Sequence, residues 1–273
     1  MDTGLSDTCV LITGASGGIG QATARALAAE GADLGLHFHR NETAARQLAE
    51  ELPVQTTLLC ADLSDERQVN TMYAEAQGAL GQIDALVVNA GIWIERPSPL
   101  GDMSLEQWQK TIEVDLTAAF LTCRGFLRHL KAEPRQTASI VLVGSTAALF
   151  GEEGHADYAA AKAGLTYGLT RTLKNEIVRL APRGRVNCVC PGWVDTPMAA
   201  GAMNDAAAVE RTTATMALRK IATADDVART IVFLLSERLA GHTSGAILPV
   251  AGGMEGRLLH LPAEGLKSKA VES

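Results

Sequence analysis

A chain of 273 residues, 47% of them hydrophobic, can bury the core of one large α/β domain and is too apolar for intrinsic disorder. Its formal net charge of −7 disfavours a nucleic-acid partner or an anionic membrane surface. No signal-peptide pattern precedes the first strand and no apolar run is long enough for a bilayer, so a cytoplasmic location is expected.

In chain order, strand and helix patterns alternate. Residues 8–13 are an apolar, β-branched-rich strand ending in Gly14-Ala15-Ser16-Gly17-Gly18-Ile19-Gly20, and an Ala-rich helix follows to about Glu30, with Gly31 as its C-cap signal. A second strand spans 33–39, a helix 42–52, a third strand 54–61 and a helix 65–80. A fourth strand, 83–88, closes on Asn89-Ala90-Gly91. Helical pattern then runs over 104–131 with an expected break near Lys110. Strands at 139–144, 185–190 and 246–250 are separated by helices at 157–180 and 225–236. Strands separated by helical patterns imply βαβ units and a parallel sheet. With no repeat or linker, one domain is expected over 1–253, followed by a tail over 254–273.

The first turn carries the first chemistry. A glycine cluster between a strand and a helix lets backbone approach a pyrophosphate, while the helix N-terminus supplies N–H donors and positive dipole. Here it sits in the first βαβ unit, the context that marks a dinucleotide site. The end of the second strand selects the cofactor. A site for NAD places a carboxylate there, on the ribose hydroxyls. This one reads His37-Phe38-His39-Arg40-Asn41, with Asp33 at the wrong end and Glu42 suited to the first helical turn. Arg40, with Ser16, His39 and Asn41, is placed to hold a 2′-phosphate, so NADP(H) is favoured over NAD(H). The alternative is that Arg40 is an ordinary solvated residue. His37 and His39 share a strand face without a third ligand, so no metal is expected. The five cysteines also lack metal-site spacing and read as buried free thiols.

The stretch from Gly144 to Lys162 carries the second chemistry. Tyr158 and Lys162 lie at i, i+4 on one helix face, so their side chains can meet. Tyrosine titrates near pH ~10, too high for acid–base work at neutrality, and a neighbouring ammonium favours the phenolate. Ser145, just past a strand, has a hydroxyl that can bond a substrate oxygen.

Together, Thr13-Gly14-Ala15-Ser16-Gly17-Gly18-Ile19-Gly20, Asn89-Ala90-Gly91, Ser145, Tyr158-x-x-x-Lys162 and Pro191-Gly192 resemble the short-chain dehydrogenase/reductase family, in order and spacing, from Thr8 to Gly253. The resemblance implies a doubly wound Rossmann fold, a seven-stranded parallel sheet with helices on both faces, and NAD(P)-dependent hydride transfer at the strands' carboxyl ends. It implies Tyr158 as the acid for carbonyl reduction, Lys162 as depressor of its pKa and partner of the nicotinamide ribose, and Ser145 as the group that polarises the carbonyl. It further implies that Asp62, with Leu63 beside it, meets the adenine. Asn89, Ala90 and Gly91 would pass the adenosine ribose, and Pro191, Gly192, Val194 and Thr196 would meet the carboxamide. The bare alternative for Asp62 is a helix-capping neighbour. Where the family has an Asn that holds a relay water, this chain has Asp115, which accepts hydrogen bonds but cannot donate when ionised. It is read as a conservative replacement.

The segment 193–220 is Ala-rich with Met198, Met203 and Met216, where the family keeps a substrate cover. Trp93, Phe150 and Trp193 are the expected pocket residues, with Ile94, Leu149 and His155 nearby; His155 is given no catalytic role. The nearest subgroup resemblance is to 3-oxoacyl-acyl-carrier-protein reductases, which implies a ketone or carrier-protein thioester as substrate. Arg135, Arg179 and Arg183 are placed to meet such an acidic carrier. Ala251 stands where that subgroup has Asp before Gly252-Gly253. A homodimer or homotetramer is implied through the helices near 111–130 and 157–180. A non-catalytic dinucleotide sensor is the contrasting expectation, disfavoured because both Tyr158 and Lys162 are present.

Overall fold

The computed structural model describes residues 2–255, so most of the expected 254–273 tail lies outside the described residues. Seven strands form one parallel sheet in the order β3-β2-β1-β4-β5-β6-β9. They are β1 (Cys9–Ile12), β2 (Asp33–Phe38), β3 (Thr56–Cys60), β4 (Ala85–Val88), β5 (Ser139–Val143), β6 (Arg185–Pro191) and β9 (Ile247–Val250). The short strands β7 (Val194–Asp195) and β8 (Ala222–Thr223) pair separately. The central strands read as near-continuous apolar runs because helices cover both faces. Val10 and Ile12 point to one face, under α1 (Gly18–Ala29) and the helix Ala224–Leu235. Cys9 and Leu11 point to the other, with Phe126 and Leu130 of α5 (Ala118–Ala132) and Met72 of α3 (Glu66–Leu80). Each face therefore buries a separate apolar layer, the main driving force for the fold.

Order reverses between β1 and β4, which leaves a crevice at their carboxyl ends. Asn89 closes it from below: its amide Nδ2 donates to the carbonyls of Thr13 (3.0 Å) and Gly14 (3.1 Å). The Thr13 hydroxyl in turn accepts from the backbone N–H groups of Asn89 and Ala90.

The expected break near Lys110 is not a break. Helix α4 (Leu105–Thr111) passes through a π-helical segment, Ile112–Thr117, directly into α5. The expected helix over 157–180 likewise divides into α7 (Ala156–Ala163), a π segment at Gly164–Leu169, and α8 (Thr170–Glu176). The two wide segments pack on each other: a Cβ on Gly164 would come 3.0 Å from Leu116 Cδ2. Such bulges redirect side chains and gather at functional sites, and Asp115 lies buried in the first of them. Asp157 pins the pair from α7, accepting from Thr111 Oγ1 (2.7 Å) and Gln107 Nε2 (3.2 Å).

Four cysteines are buried as expected, but Cys60, at the end of β3, is exposed. Arg135 also departs from expectation. Its guanidinium is buried, bonded to the Ile83 carbonyl and paired with Asp84 Oδ1 at 3.0 Å, so it presents no surface to a carrier. Arg183 is exposed and paired with Glu237. Among the described residues no helix is long and apolar enough to cross a membrane.

Candidate active site

The crevice opens into a cleft of about 680 Å³ that runs from the glycine turn to Tyr158. That volume lies within the range of small-molecule sites, roughly 300–1,000 Å³. Of the expected residues it is lined by Gly14, Ser16, Gly17, Gly18, Ile19, His39, Arg40, Asn41, Asp62, Leu63, Asn89, Ala90, Gly91, Trp93, Ser145, Tyr158, Lys162, Pro191, Gly192, Trp193, Val194 and Thr196. Gly20, Asp115 and Phe150 do not line it. A Cβ on Gly20 would come 2.2 Å from the Gly14 carbonyl oxygen, so this glycine serves the packing of α1 against its own turn. Phe150 ends the short α6 (Ala147–Phe150) and is exposed outside the cleft, because Gly151, at φ 79°, turns the chain away there.

Several positions tolerate no side chain. Gly14 has φ 64°, and a Cβ there would lie 2.9 Å from Ala90 Cα. A Cβ on Gly18 would lie 2.6 Å from Thr196 Cγ2. The bare backbone cradle at the start of α1 fits a pyrophosphate, and the free N–H groups of a helix start favour an anion.

The end of the cleft beside the glycine turn carries Arg40, His39 and Asp62. Among the described residues Arg40 forms no ion pair. Asn41 caps α2 (Glu42–Glu51) by accepting from Ala44 N at 3.2 Å, so its oxygen is already engaged. Glu42 sits in the first turn as expected and pairs with Arg46. Asp62 Oδ1 accepts from the Ser64 hydroxyl (2.7 Å) and N–H (2.9 Å), which hold its carboxyl below the usual range, and Oδ2 lies 4.0 Å from His39 Nε2. His37 was not foreseen. It is buried, with Nδ1 accepting from Gly14 N–H and Nε2 against the Ala61 carbonyl, both at 3.0 Å. Burial pushes it down to about 4.

At the other end Ser145, Tyr158 and Lys162 come together. Lys162 is buried and donates to the Val143 carbonyl at 3.2 Å, with Nζ 5.5 Å from the centre of the Tyr158 ring. Burial lowers its pKa, but Tyr158, Asp115, Cys188 and Cys190 pull the other way and the net shift is upward, so the ammonium stays charged. For Tyr158 the balance differs from expectation. Burial raises its phenol and outweighs the downward pull of Lys162 and the Ser145 hydroxyl, while Asp115 and Glu152 raise it further. The residue is half-buried and lines the cleft, so solvent and ligand can reach it.

Asp115 is fully buried. Oδ1 accepts from Ile92 N–H at 2.8 Å and Oδ2 has no hydrogen-bond partner. Burial raises its carboxyl, against the pull of Lys162. Gly91 separates the two groups: a Cβ there would lie 3.2 Å from Lys162 Nζ and 3.3 Å from Asp115 Oδ1. Beside Tyr158, Trp93 stacks on His155 at 3.9 Å and meets the Tyr158 ring edge-on at 5.0 Å. His155 is buried rather than in an open loop, between the Glu153 and Ile94 carbonyls. Met198 lines the cleft and is exposed, but Met216 is buried in the body. Among the described residues no group of three or more His, Cys, Asp or Glu side chains is placed to hold a metal.

A dinucleotide cradle joined to a Ser-Tyr-Lys cluster across one parallel sheet defines a nicotinamide-dependent oxidoreductase. Comparison with known proteins agrees. Residues 14–255 match the family model described as enoyl-(acyl carrier protein) reductase. The chain is 36% identical over 260 residues to cis-4-hydroxycyclohexanecarboxylate dehydrogenase of Sinomonas cyclohexanicum, covering 93% of this chain and 98% of the relative. It is 34% identical over 256 residues to a 3-oxoacyl-[acyl-carrier-protein] reductase of Synechocystis sp., covering 92% and 98%. Among solved structures it resembles levodione reductase, with TM-score 0.83, 29% identity, and coverage of 91% and 97%. The chain belongs to the short-chain dehydrogenase/reductase family. It is an NAD(P)-dependent oxidoreductase acting on CH–OH or ketone groups.

Proposed function

We propose that the protein is an NADP(H)-dependent reductase of a ketone, with a 3-oxoacyl thioester or a similar carbonyl compound as substrate and Tyr158 as the proton donor. The observation that carries this reading is the single cleft that joins Arg40, the glycine cradle and the Ser145-Tyr158-Lys162 cluster. The bound nicotinamide supplies the hydride for reduction and accepts one for oxidation. Ser145 donates a hydrogen bond to the carbonyl oxygen and draws electron density from the carbon. Tyr158 delivers its proton to the same oxygen. The Lys162 ammonium stabilises the phenolate left behind, and Asp115 keeps that ammonium charged. Asp62 Oδ2 and the 89–91 turn face the adenosine half, and Pro191, Gly192, Val194 and Thr196 border the nicotinamide half. Arg40 pairs with the 2′-phosphate, supported by His39 and Ser16.

Trp93 and Trp193 form the apolar walls of the substrate end, and the segment at 193–220 covers it through Met198. Residues 1–253 act as one domain. A homodimer or homotetramer is supported by Phe120 and Tyr167, exposed on the helices at 118–132 and 164–176 beneath Arg124 and Arg171. Its free thiols fit the reducing cytoplasm.

A second reading, a small ring ketone or secondary alcohol rather than a carrier-bound thioester, is favoured by the burial of Arg135. The test is oxidation of NADPH and NADH against 3-oxoacyl thioesters, diketones, quinones and sugars, with Arg40→Ala alongside. The proposed cofactor requires that NADPH be preferred and that Arg40→Ala raise its Michaelis constant; preference for NADH refutes it.

A further inference from the structure

We propose that His37 is a positioning residue for the dinucleotide, a neutral imidazole that sets the glycine turn and the adenine-facing segment at a fixed distance from each other. The ring is 2% exposed and lies at the carboxyl end of β2, between the two segments that flank the adenosine half of the cleft. The Gly14 N–H donates to Nδ1 at 3.0 Å. A backbone N–H can only donate, so Nδ1 carries no proton. Nε2 stands 3.0 Å from the Ala61 carbonyl, which can only accept, so Nε2 carries the proton. The two contacts thus dictate one tautomer.

No apolar side chain satisfies both backbone groups, and an imidazolium cannot accept from Gly14. The backbone repeats the connection: Ala15 N–H donates to the His37 carbonyl at 2.8 Å, and Ala61 N–H to the Phe38 carbonyl at 3.2 Å. Gly14 opens the pyrophosphate cradle and Asp62 follows Ala61, so a shift of either contact moves a cofactor contact. The titratable groups facing His37 are His39 from just past the end of β2 and Asp62 from the segment after β3. The glycine turn contributes none. Burial, not these charges, is what keeps the ring neutral.

The test uses the full chain and NADP⁺ as the probe, with binding read by calorimetry. His37→Gln can place an amide oxygen toward Gly14 and an amide N–H toward Ala61, and His37→Leu can do neither. His37→Gln is expected to bind within about threefold of wild type, and His37→Leu about tenfold more weakly, the size of one lost hydrogen bond to a backbone donor. ¹⁵N NMR of the wild-type ring, without cofactor, is expected to show neutral imidazole with the proton on Nε2 down to about pH 5. A proton on Nδ1, or an imidazolium at pH 6, overturns the proposal. So does His37→Leu that folds and binds like wild type, or His37→Gln that loses as much affinity as His37→Leu. Should His37→Leu not fold, the tautomer and His37→Gln decide the matter. None of these readouts depends on which ketone is reduced, so failure of the proposed substrate leaves them intact.

Discussion

Replacing Asp115 with Asn removes one buried negative charge from beside the Tyr158-Lys162 pair, and the size of the effect follows from the geometry. Lys162 Nζ and Asp115 Oδ1 each lie within 3.3 Å of the Cβ position of Gly91, and Nζ lies 5.5 Å from the Tyr158 ring centre. The carboxylate is therefore at most about 12 Å from that ring centre, where a unit charge at an effective dielectric of about 20 contributes at least about 1.4 kcal/mol. Asp115 raises both Tyr158 and Lys162, so its loss lowers both. Reduction needs the protonated phenol, so the high-pH limb of its rate profile is expected to move down. Oxidation needs the phenolate, so its rate well below that limb is expected to rise severalfold. The assay is the pH dependence of kcat in both directions with one ketone–alcohol pair. Activity is expected to survive at the optimum, whereas Tyr158→Phe removes the proton donor itself. An unmoved limb, or a loss as complete as that of Tyr158→Phe, refutes the electrostatic reasoning.

Gly20→Ala drives a Cβ to 2.2 Å from the Gly14 carbonyl oxygen, a backbone atom that cannot rotate away. It is expected to abolish NADP⁺ binding by calorimetry and to lower Tm. His37 gives a pH signature in stability. Its folded pKa lies near 4 against 6.5 in the unfolded chain, so its contribution is fully present above pH 6.5. As pH falls, the unfolded state takes up the proton first, and about 3 kcal/mol is lost between pH 6.5 and 4. Urea unfolding across that window is expected to show a shallower slope for His37→Gln, and identical slopes contradict the burial argument. Light scattering is expected to show a dimer or tetramer, and a monomer at micromolar concentration contradicts the assembly.

The Rossmann frame was legible because its signals are local. Apolar runs of strand length alternate with 3.6-residue periodicity, and the glycine turn needs only a strand before it and a helix after it. Ser145, Tyr158 and Lys162 were legible for a similar reason: two share a helix face, and the third ends a strand. Gly20 and Phe150 were assigned to ligand contact because spacing does not distinguish a glycine that approaches a ligand from one that approaches its own turn. Arg135 was assigned to the surface because a lone arginine near a helix end reads as solvated. Its partners Ile83 and Asp84 are some fifty residues away in sequence.

The electrostatics required the assembled structure. Sequence supplies a Tyr beside a Lys and predicts a depressed phenol, but desolvation depends on what else surrounds the ring, and here it wins. The burial of Asp115 likewise belongs to the assembled structure: its π segment packs against the one at Gly164–Leu169, from a helix some fifty residues on. His37 carries no mark in its own neighbourhood; its role comes from Gly14 and Ala61, which the parallel sheet brings to either side of it. The chain by itself determined the frame and which side chains share a helix face or end a strand, because those depend on periodicity and short spacings. Tertiary structure alone decided protonation, burial and alignment, because those are sums over neighbours that are distant in sequence.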